Sequence, residues 1–422
     1  SIFIGIKGKK FDGNVYAKDA IKNGSILAIS NIKNKNSKII FKKKPINDFS
    51  YLSSLFRKSL NSNNIAITGS AGKTSVKELT GFCLSKLEKT YFSKNSFNNK
   101  YGVPLSLFNT PQSSKFTVLE VGMDKKGEID YLTKLIKPNL GLITNISYAH
   151  IKNFKNLNQI ASAKGEMINN IIPNGTMVIN IDDQYHKYFL QKSKKRKLKI
   201  ITFSKTNNNA DIYILNRKKF KKKYLLNLRI KGQKKSFKIS KSLIDYTENI
   251  LASLGIIINY FDVKEINENL FSGFVIPKSR GSTIDYKKGS KKLTIIDESY
   301  NSNPLSFKFA LQRFDNFYKA KSNKFLLVGN MHELGKYSKN LHILISNYIN
   351  NSKISKTYVY GNLAKHTFNK LKPQIRGKIL RNKMEILNLI NKELPNKSLL
   401  MVKGSNSTGL NDIINNLKKN AL

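Results

Sequence analysis

The stretch ITGSAGKTS, residues 67–75, constrains the fold more than any other, because it joins two regular patterns through a glycine-containing turn. An apolar segment precedes it, and apolar side chains follow at helical spacing, namely Val76, Leu79, Phe82 and Leu87. In a strand–loop–helix unit, such glycines let backbone N–H groups point at phosphate oxygens, with the positive helix end behind them. The lysine would contact the outer phosphates, and the threonine would ligate Mg²⁺. The sequence therefore predicts a nucleoside triphosphate site formed by Gly69, Ser70, Ala71, Gly72, Lys73, Thr74 and Ser75.

The loop has the short form G-x-x-G-K-[ST], because Ile67 stands where the longer form has its first glycine. Such a string also arises by chance in glycine-containing turns. The strand pattern before it and the helix pattern after it favour phosphate binding over that alternative.

A chain of 422 residues is long for one hydrophobic core, so two or three domains are expected. Polar residues near 61–64 and a linker near Pro277 suggest the divisions 1–62, 63–276 and 277–422. The chain begins with Ser1 and reads as if it started inside a domain, so we expect a truncated amino end.

The alternation of short β-type runs with helical runs predicts the fold class. Between about residues 65 and 182 it indicates a mostly parallel sheet with helices on both faces. Residues 200–240 change to period two, which predicts antiparallel hairpins at one edge. A second series after Pro277 predicts a Rossmann-like domain. We therefore expect an α/β protein of three domains: a small truncated amino-terminal α/β domain, a central P-loop domain and a carboxyl-terminal Rossmann-like domain.

The composition is strongly basic, with 75 Lys and Arg against 26 Asp and Glu and a formal net charge of +49. Such a charge raises nucleic-acid binding as a hypothesis. The lysines are spread over both halves of the chain, and runs such as Lys194–Lys197 lack the interleaved aromatic residues of a base-stacking surface. We expect a solvated basic surface that attracts anionic substrates, and no specific nucleic-acid partner. The single cysteine, Cys83, lies in an apolar pattern and is expected to be a packed thiol.

Chemically active side chains follow the strands next to the loop. Glu120 ends the segment VLEVG, and Asn145 and His150 follow the next one, in LITNISYAH. Because the carboxyl ends of parallel strands share one edge of a sheet, we expect these groups beside the loop. Lys164, in ASAKGE, lies on the next helix. Each residue alone has an ordinary structural explanation, but their order together indicates phosphoryl transfer with bound Mg²⁺.

These blocks resemble those of the Mur ligases of peptidoglycan precursor synthesis, in that family's order and at roughly its spacing. The resemblance covers essentially the whole chain, through FIGIKGKKFDG, TGSAGKTSVKE, NSFNNKYGVPLSL, VLEVGM, TNISYAH, AKGE, DESYNSNP, VGNMHELG and VKGS. It implies an ATP-dependent ligase whose catalytic groups are Lys73, Glu120, His150 and Lys164.

The resemblance also implies the ligand contacts. Two Mg²⁺ ions would be held by Thr74, Glu120, His150 and Lys164, with Lys164 carbamylated by CO₂, which requires a lowered amine pKa. ATP would contact, besides the loop, Asn249, Arg280, Asp297, Tyr300, Asn301 and Asn303. The substrate would contact Lys7, Phe11, Asp12, Gly13, Asn95, Asn98, Asn99, Lys403 and Ser405.

The reaction implied by the resemblance is a two-step amide ligation. ATP phosphorylates the terminal carboxylate of UDP-N-acetylmuramoyl tripeptide, and the amine of D-Ala-D-Ala then attacks the acyl phosphate. The expected cofactors are ATP and Mg²⁺, and the expected partners are these two substrates. We further expect a cytoplasmic monomer without a membrane span.

Several positions depart from the family pattern. Asn330 stands where Asp is usual, Asn406 replaces an arginine after KGS, and Asp245-Tyr246 replaces a His-Asn pair. Arginine binds a carboxylate with two parallel hydrogen bonds that asparagine cannot make, so Asn406 leaves dipeptide recognition open. Three alternatives therefore stand: a Mur-type ligase that adds a single amino acid, a degenerate paralogue that binds without ligating, and, from another class, a basic nucleic-acid-associated ATPase.

Overall fold

The computed structural model describes residues 1–8, 10–220, 223–317 and 323–419. Within these ranges the strands form three sheets, which follow one another along the chain. The expected fold class, α/β in three domains with mostly parallel sheets, is confirmed.

The amino-terminal domain is a small parallel sheet in the order β1-β2-β3, packed against two helices. Its elements are β1 (Ile2–Ile4), α1 (Ala17–Lys22), β2 (Leu27–Ser30), β3 (Ile39–Phe41) and α2 (Pro45–Ser59). Proline suits the first turn of α2, where its missing N–H would have no helical partner. The rings of Phe49 and Phe56 stack on Phe108 of the central domain at 5.3 and 5.4 Å between centroids. Helix α2 therefore holds this domain against the next.

The central domain has a nine-stranded sheet in the described part of the chain. Its strands are β4 (Asn63–Thr68), β5 (Thr90–Phe92), β6 (Phe116–Glu120), β7 (Leu140–Ile143), β8 (Thr176–Asn180), β9 (Lys199–Ser204), β10 (Ile212–Phe220), β11 (Lys223–Ile230) and β12 (Gln233–Ile239). Its helices are α3 (Lys73–Ser85), α4 (Gly102–Phe108), α5 (Glu128–Ile136), α6 (Leu157–Lys164), α7 (Glu166–Asn170), α8 (His186–Lys195) and α9 (Thr247–Ile257).

The strand order across the sheet is β12-β11-β10-β9-β8-β7-β4-β6-β5. Every neighbouring pair between β10 and the edge strand β5 is parallel. The antiparallel hairpins predicted after residue 200 are confirmed for β10, β11 and β12, whereas β9 is a further parallel strand. Because β4 lies between β7 and β6, the loops after these three strands meet at one edge. The chain reverses direction across the sheet here, which is where ligands bind in open α/β sheets.

The carboxyl-terminal domain has the sheet order β13-β14-β18-β15-β16-β17, in which only the edge strand β13 is antiparallel among the described strands. Its strands are β13 (Ser282–Lys288), β14 (Lys291–Glu298), β15 (Lys324–Gly329), β16 (Lys356–Tyr360), β17 (Arg376–Leu380) and β18 (Ser398–Lys403). Its helices are α10 (Pro304–Phe317), α11 (Ser338–Asn350), α12 (Ala364–Phe368), α13 (Lys383–Asn388) and α14 (Leu410–Lys419).

The central and carboxyl-terminal domains share one buried apolar cluster. It continues from Ile143 and Ile146, beside the central sheet, to Met331 and Leu334 after β15. Removing this area from water favours the docked arrangement of the two domains. The Cys83 thiol is fully buried, and burial raises its pKa, so the expectation of an inert packed thiol is confirmed. In the described ranges, every helix is too short or too polar to cross a bilayer.

Candidate active site

A cavity of about 1030 Å³ lies at the carboxyl edge of the central sheet, between the central and carboxyl-terminal domains. The central domain contributes the P-loop, the end of β6 and the segment after β7. The carboxyl-terminal domain contributes Tyr300, Asn301, Asn303 and Lys403. A ligand in this cavity would therefore contact both domains.

The P-loop has a backbone that requires glycine. Gly69 has φ of +146°, and a Cβ added there would lie 1.8 Å from the Thr144 hydroxyl oxygen. The amide side chain of Asn145 accepts a hydrogen bond from the Ala71 N–H at 2.9 Å. Lys73 Nζ donates to the Gly69 carbonyl at 2.8 Å, so the ammonium lies over its own loop. Asn145 thus lies beside the loop, as its place after the neighbouring strand predicted, and its hydrogen bond helps to hold the loop conformation.

Glu120, at the end of β6, is only 2% exposed, and both of its carboxylate oxygens accept hydrogen bonds. Thr74 Oγ1 donates to one at 2.6 Å, and Asn98 Nδ2 donates to the other at 2.7 Å. Among the described residues no salt bridge neutralises this carboxylate. Buried charges are normally paired or bind metal ions, so these oxygens fit a divalent cation.

His150 begins the short turn after β7 with φ of +59°. Its Nδ1 lies 2.9 Å from Asp124 Oδ1 and 2.6 Å from Glu333 Oε2. Burial opposes protonation of His150, but these two carboxylates outweigh it and raise the pKa of the imidazole. Neither Asp124 nor Glu333 is among the site residues predicted from the sequence. The first lies in a loop after β6, and the second comes from the other domain.

Lys164, at the end of α6, is 1% exposed. Burial, and then the nearby charge of Lys73, lower the pKa of its ammonium well below the ordinary range. Its Nζ makes no hydrogen bond or salt bridge with another described residue, and it lies outside the lining of the large cavity. The environment therefore favours an uncharged amine, the nucleophilic form that reacts with CO₂.

Residues after the linker contact the central domain across the cavity. Arg280 donates to Ser96 Oγ at 3.1 Å, and its guanidinium lies 4.3 Å from the centre of the Tyr300 ring. Asn303 Nδ2 donates to the Ser70 carbonyl at 3.4 Å. Asn249, on α9, lines the cavity near Gly72. These contacts bring the sequence-predicted ATP residues of both domains to one place.

Asp297 does not line the cavity. Its carboxylate accepts hydrogen bonds from the hydroxyls of Ser279 and Ser299, both inside the domain. The next residue, Glu298, lines the cavity instead, because successive side chains of a strand point to opposite faces. Glu298 is paired with Arg313 at 2.6 Å and with Lys403 at 3.5 Å. Burial opposes ionisation, but these two cations lower the pKa of Glu298.

The remaining predicted substrate residues divide into two groups. Asn98, Asn99 and Lys403 line the cavity, whereas Lys7, Phe11, Asp12, Gly13, Asn95 and Ser405 do not. The predicted residues of the amino-terminal domain form a tight turn. In it Asp12 accepts a hydrogen bond from the Asn14 N–H, and Phe11 is 75% exposed. Ser405 Oγ accepts from the His332 N–H at 2.9 Å.

A second cavity, of about 770 Å³, lies at the carboxyl ends of β15, β16 and β17. Its lining includes Asn330, His332, Lys365, Arg381, Ser407 and Thr408. The Asn330 side chain is already engaged within the domain, since its Oδ1 accepts a hydrogen bond from the Ala364 N–H at 3.0 Å. Segment 403–408 borders both cavities, since Lys403 lines the first and Ser407 and Thr408 line the second. The two cavities therefore lie next to each other.

Comparisons with known proteins agree with this arrangement. The family described as "Mur ligase middle domain" matches residues 67–257, and "Mur ligase, glutamate ligase domain" matches residues 284–406. The UDP-N-acetylmuramoyl-tripeptide–D-alanyl-D-alanine ligase of Buchnera aphidicola subsp. Baizongia pistaciae is 33% identical, over 99% of this chain and 89% of the relative. The enzyme of that name from Rickettsia prowazekii is 28% identical, over 98% and 91%.

Two solved structures have the same fold over nearly the whole chain. MurF from Acinetobacter baumannii superposes with a TM-score of 0.85 at 22% identity, covering 99% of this chain and 90% of that one. MurF from Thermotoga maritima, in complex with ADP, gives 0.83 at 22% identity, covering 99% and 94%.

Proposed function

The chain belongs to the Mur ligase family, and we propose that it is the ATP-dependent ligase that joins D-alanyl-D-alanine to UDP-N-acetylmuramoyl tripeptide in peptidoglycan precursor synthesis. The observation that carries this proposal is the meeting of Lys73, Glu120 and His150 at one cavity with groups of the carboxyl-terminal domain. The relatives of that name match over almost their whole length.

In the first step, the tripeptide carboxylate oxygen attacks the γ-phosphorus of ATP, and ADP leaves. The P-loop N–H groups and Lys73 bind the phosphates, and Arg280 approaches them from the other domain. Because the ATP contacts are divided between two domains, docking of these domains is a condition of the step and excludes water from the acyl phosphate.

In the second step, the dipeptide amine attacks the acyl carbon. The tetrahedral intermediate then expels phosphate, and the amine nitrogen loses its proton as the amide forms. We place the dipeptide carboxylate in the second cavity, where Lys365 and Arg381 supply the positive charge that Asn406 lacks. In this arrangement the dipeptide lies next to the phosphate site, because segment 403–408 borders both cavities.

We propose two Mg²⁺ sites, one at Thr74 and Glu120 and one at His150. The buried Glu120 carboxylate, which has no salt bridge among the described residues, supports the first of them. Magnesium there would neutralise phosphate charge as the phosphoryl group moves. Lys164 would carry a carbamate, which its burial and lowered pKa favour.

We further propose the domain limits 1–62, 63–276 and 277–422, and a monomer that acts in the cytoplasm. The linker between α9 and β13 contains the second limit. In the amino-terminal domain, the turn of Lys7, Phe11, Asp12 and Gly13 would contact the uridine side of the substrate.

The test is an incubation of the protein with Mg-ATP, UDP-N-acetylmuramoyl tripeptide and D-Ala-D-Ala. The proposal predicts phosphate release and a pentapeptide product, both lost when any one component is omitted. Turnover with one amino acid in place of the dipeptide would identify a different Mur-type ligase. Hydrolysis stimulated by DNA and abolished by salt would favour the nucleic-acid ATPase. Binding without any turnover would indicate the degenerate paralogue.

A further inference from the structure

Three side chains that can ligate metals meet where the central and carboxyl-terminal domains touch. Asp124 and His150 belong to the central domain, and Glu333 follows β15 in the other domain. One ligand atom from each lies within 4.8 Å of the other two. The two closest approaches, 2.9 and 2.6 Å, both involve His150 Nδ1.

These contacts do not have the geometry of ordinary hydrogen bonds. His150 Nδ1 is buried, and neither carboxylate oxygen is aligned with it as a hydrogen-bond partner. The separations resemble those between neighbouring ligand atoms around one ion: bonds of about 2.1 Å at right angles place such atoms about 3 Å apart. A nitrogen that faces two anionic oxygens in this way fits a cation between them.

The charge balance supports the same interpretation. Only 26 of the 422 residues are acidic, yet two of them, from different domains, are placed against one imidazole. Two carboxylates this close repel each other unless a cation lies near them. Lys152 Nζ is 3.8 Å from Glu333 Oε1 and is largely exposed, so it neutralises that repulsion weakly.

The cluster lies on a specific docking contact. The Lys152 N–H donates to the Glu333 carbonyl at 3.1 Å, and the Tyr337 hydroxyl donates to the Lys155 carbonyl at 2.5 Å. A Cβ added to Gly335 would lie 2.9 Å from Lys152 Cα, so the two backbones are closely packed. Glu333 can reach His150 only while these segments touch.

We propose that Asp124 and Glu333 are ligands, together with His150, of one divalent cation, and that this site is complete only when the carboxyl-terminal domain is docked. The inference rests on the proposed function for the presence of an ion at His150, and it adds two ligands and a linkage to docking. By thermodynamic reciprocity, the ion then stabilises docking by as much as docking strengthens ion binding.

The test measures binding of Mn²⁺ to the purified full chain by electron paramagnetic resonance, without nucleotide or substrate. Glu333→Gln and Asp124→Asn each remove one anionic ligand with little change of shape, and we expect about 10-fold weaker binding or more. Tyr337→Phe is the matched control, because it removes one exposed docking hydrogen bond without touching the cluster, while the shared apolar cluster keeps the domains docked. We expect its Mn²⁺ affinity to stay within about twofold of the unmodified chain.

A second readout follows docking itself. Hydrogen exchange of segment 331–337 is measured with and without Mn²⁺, and we expect Mn²⁺ to slow exchange in the unmodified chain and in Tyr337→Phe but not in Glu333→Gln. Unchanged Mn²⁺ affinity in Glu333→Gln would overturn the proposal. The cluster would then be an ion pair network of His150 with two carboxylates, without a metal ion. Equal losses in Glu333→Gln and Tyr337→Phe would overturn it too, since docking alone would then explain them.

Neither readout uses substrates or turnover. A chain that bound Mn²⁺ as described but formed no amide would keep this inference and lose the proposed function. If the chain formed the amide but Glu333→Gln bound Mn²⁺ as tightly as the unmodified chain, the proposed function would stand and this inference would fail.

Discussion

Lys77 is a lysine without exposed surface, one turn into the helix that follows the P-loop. Its ammonium donates to the carbonyls of Ser93 and Asn95, with the latter at 2.9 Å, and it contacts Glu78. The loop that it holds carries Ser96 and Asn98, which contact Thr74 and Glu120. One buried charge thus connects the phosphate site to the loop proposed to bind the peptide.

We predict that Lys77→Met lowers the free energy of unfolding by about 3 kcal/mol, because it leaves buried carbonyls without a donor. Urea denaturation measures the change. Lys86→Met is the control: Lys86 also donates to backbone carbonyls, including Leu270 at 2.9 Å, but it is exposed. We expect a loss below about 1 kcal/mol for Lys86→Met, and equal losses for both variants would contradict the special role of Lys77.

His342, on α11, predicts a pH dependence of stability. Its Nε2 accepts a hydrogen bond from the Met331 N–H at 3.0 Å, and burial lowers the pKa of its imidazole. The folded protein therefore favours the neutral ring. Its contribution is complete above the unfolded pKa of about 6.5 and is lost as pH falls through the lower folded pKa.

The measurement compares unfolding free energies of the unmodified chain and His342→Gln at several pH values. We expect the difference between them to be largest near pH 8 and to shrink progressively below about pH 6.5. A difference that stays constant down to pH 5 would show that His342 is not held neutral.

At this scale the sequence predicted residues that belong to compact local patterns. Thr74 was predicted from the loop motif and Glu120 from its position at the end of a neighbouring strand, and the structure places their oxygens 2.6 Å apart. Glu333 could not be predicted in this way, since its relation to His150 depends on docking of two domains. Glu298 was missed in favour of Asp297, because adjacent strand residues can be told apart only when the strand's orientation is known.

The unit of β4, P-loop and α3 is the element on which nucleotide binding depends. Gly69 lies in a backbone region that L-residues avoid and against the Thr144 side chain. We predict that Gly69→Ala abolishes detectable ATP binding by calorimetry, because the loop must move to relieve the clash.

Gly24→Ala is the matched control for this prediction. Gly24 also has positive φ, +90°, but a Cβ there would meet nothing within 4 Å. We expect a stability loss of about 1 kcal/mol and unchanged ATP affinity. Normal ATP binding by Gly69→Ala would show that the loop is not fixed as described.

Elements with strong periodicity were predicted well, including the hairpins at one edge of the central sheet, whereas three short or polar strands were not. The central strands β4, β6, β7 and β8 are buried on both faces, so each was visible as an apolar run. The short β5 and the edge strands β13 and β17 carry mixed polar residues and were not predicted. Their pairing depends on neighbouring strands that a local pattern does not contain.

At the scale of the whole molecule, Arg280 is the group that connects the domains at the phosphate site. We predict that Arg280→Lys lowers kcat about 100-fold with little change in thermal stability, because lysine cannot keep both the stacking on Tyr300 and the contact with Ser96. Steady-state kinetics with all substrates measures the effect.

The control is Arg217→Lys, since Arg217 also lines the cavity but is exposed. We expect less than a threefold change in kcat there. Comparable losses in the two variants would mean that general positive charge, and not the specific contact of Arg280, supports the reaction.

The proposed function requires that the cavity between the domains activate a carboxylate as an acyl phosphate. The most direct test uses tripeptide substrate labelled with ¹⁸O in its terminal carboxylate and follows the label by mass spectrometry. We expect one ¹⁸O in each released phosphate, only with ATP and dipeptide present, and no labelled phosphate with Lys73→Met. Phosphate that carries oxygen from water instead would contradict it.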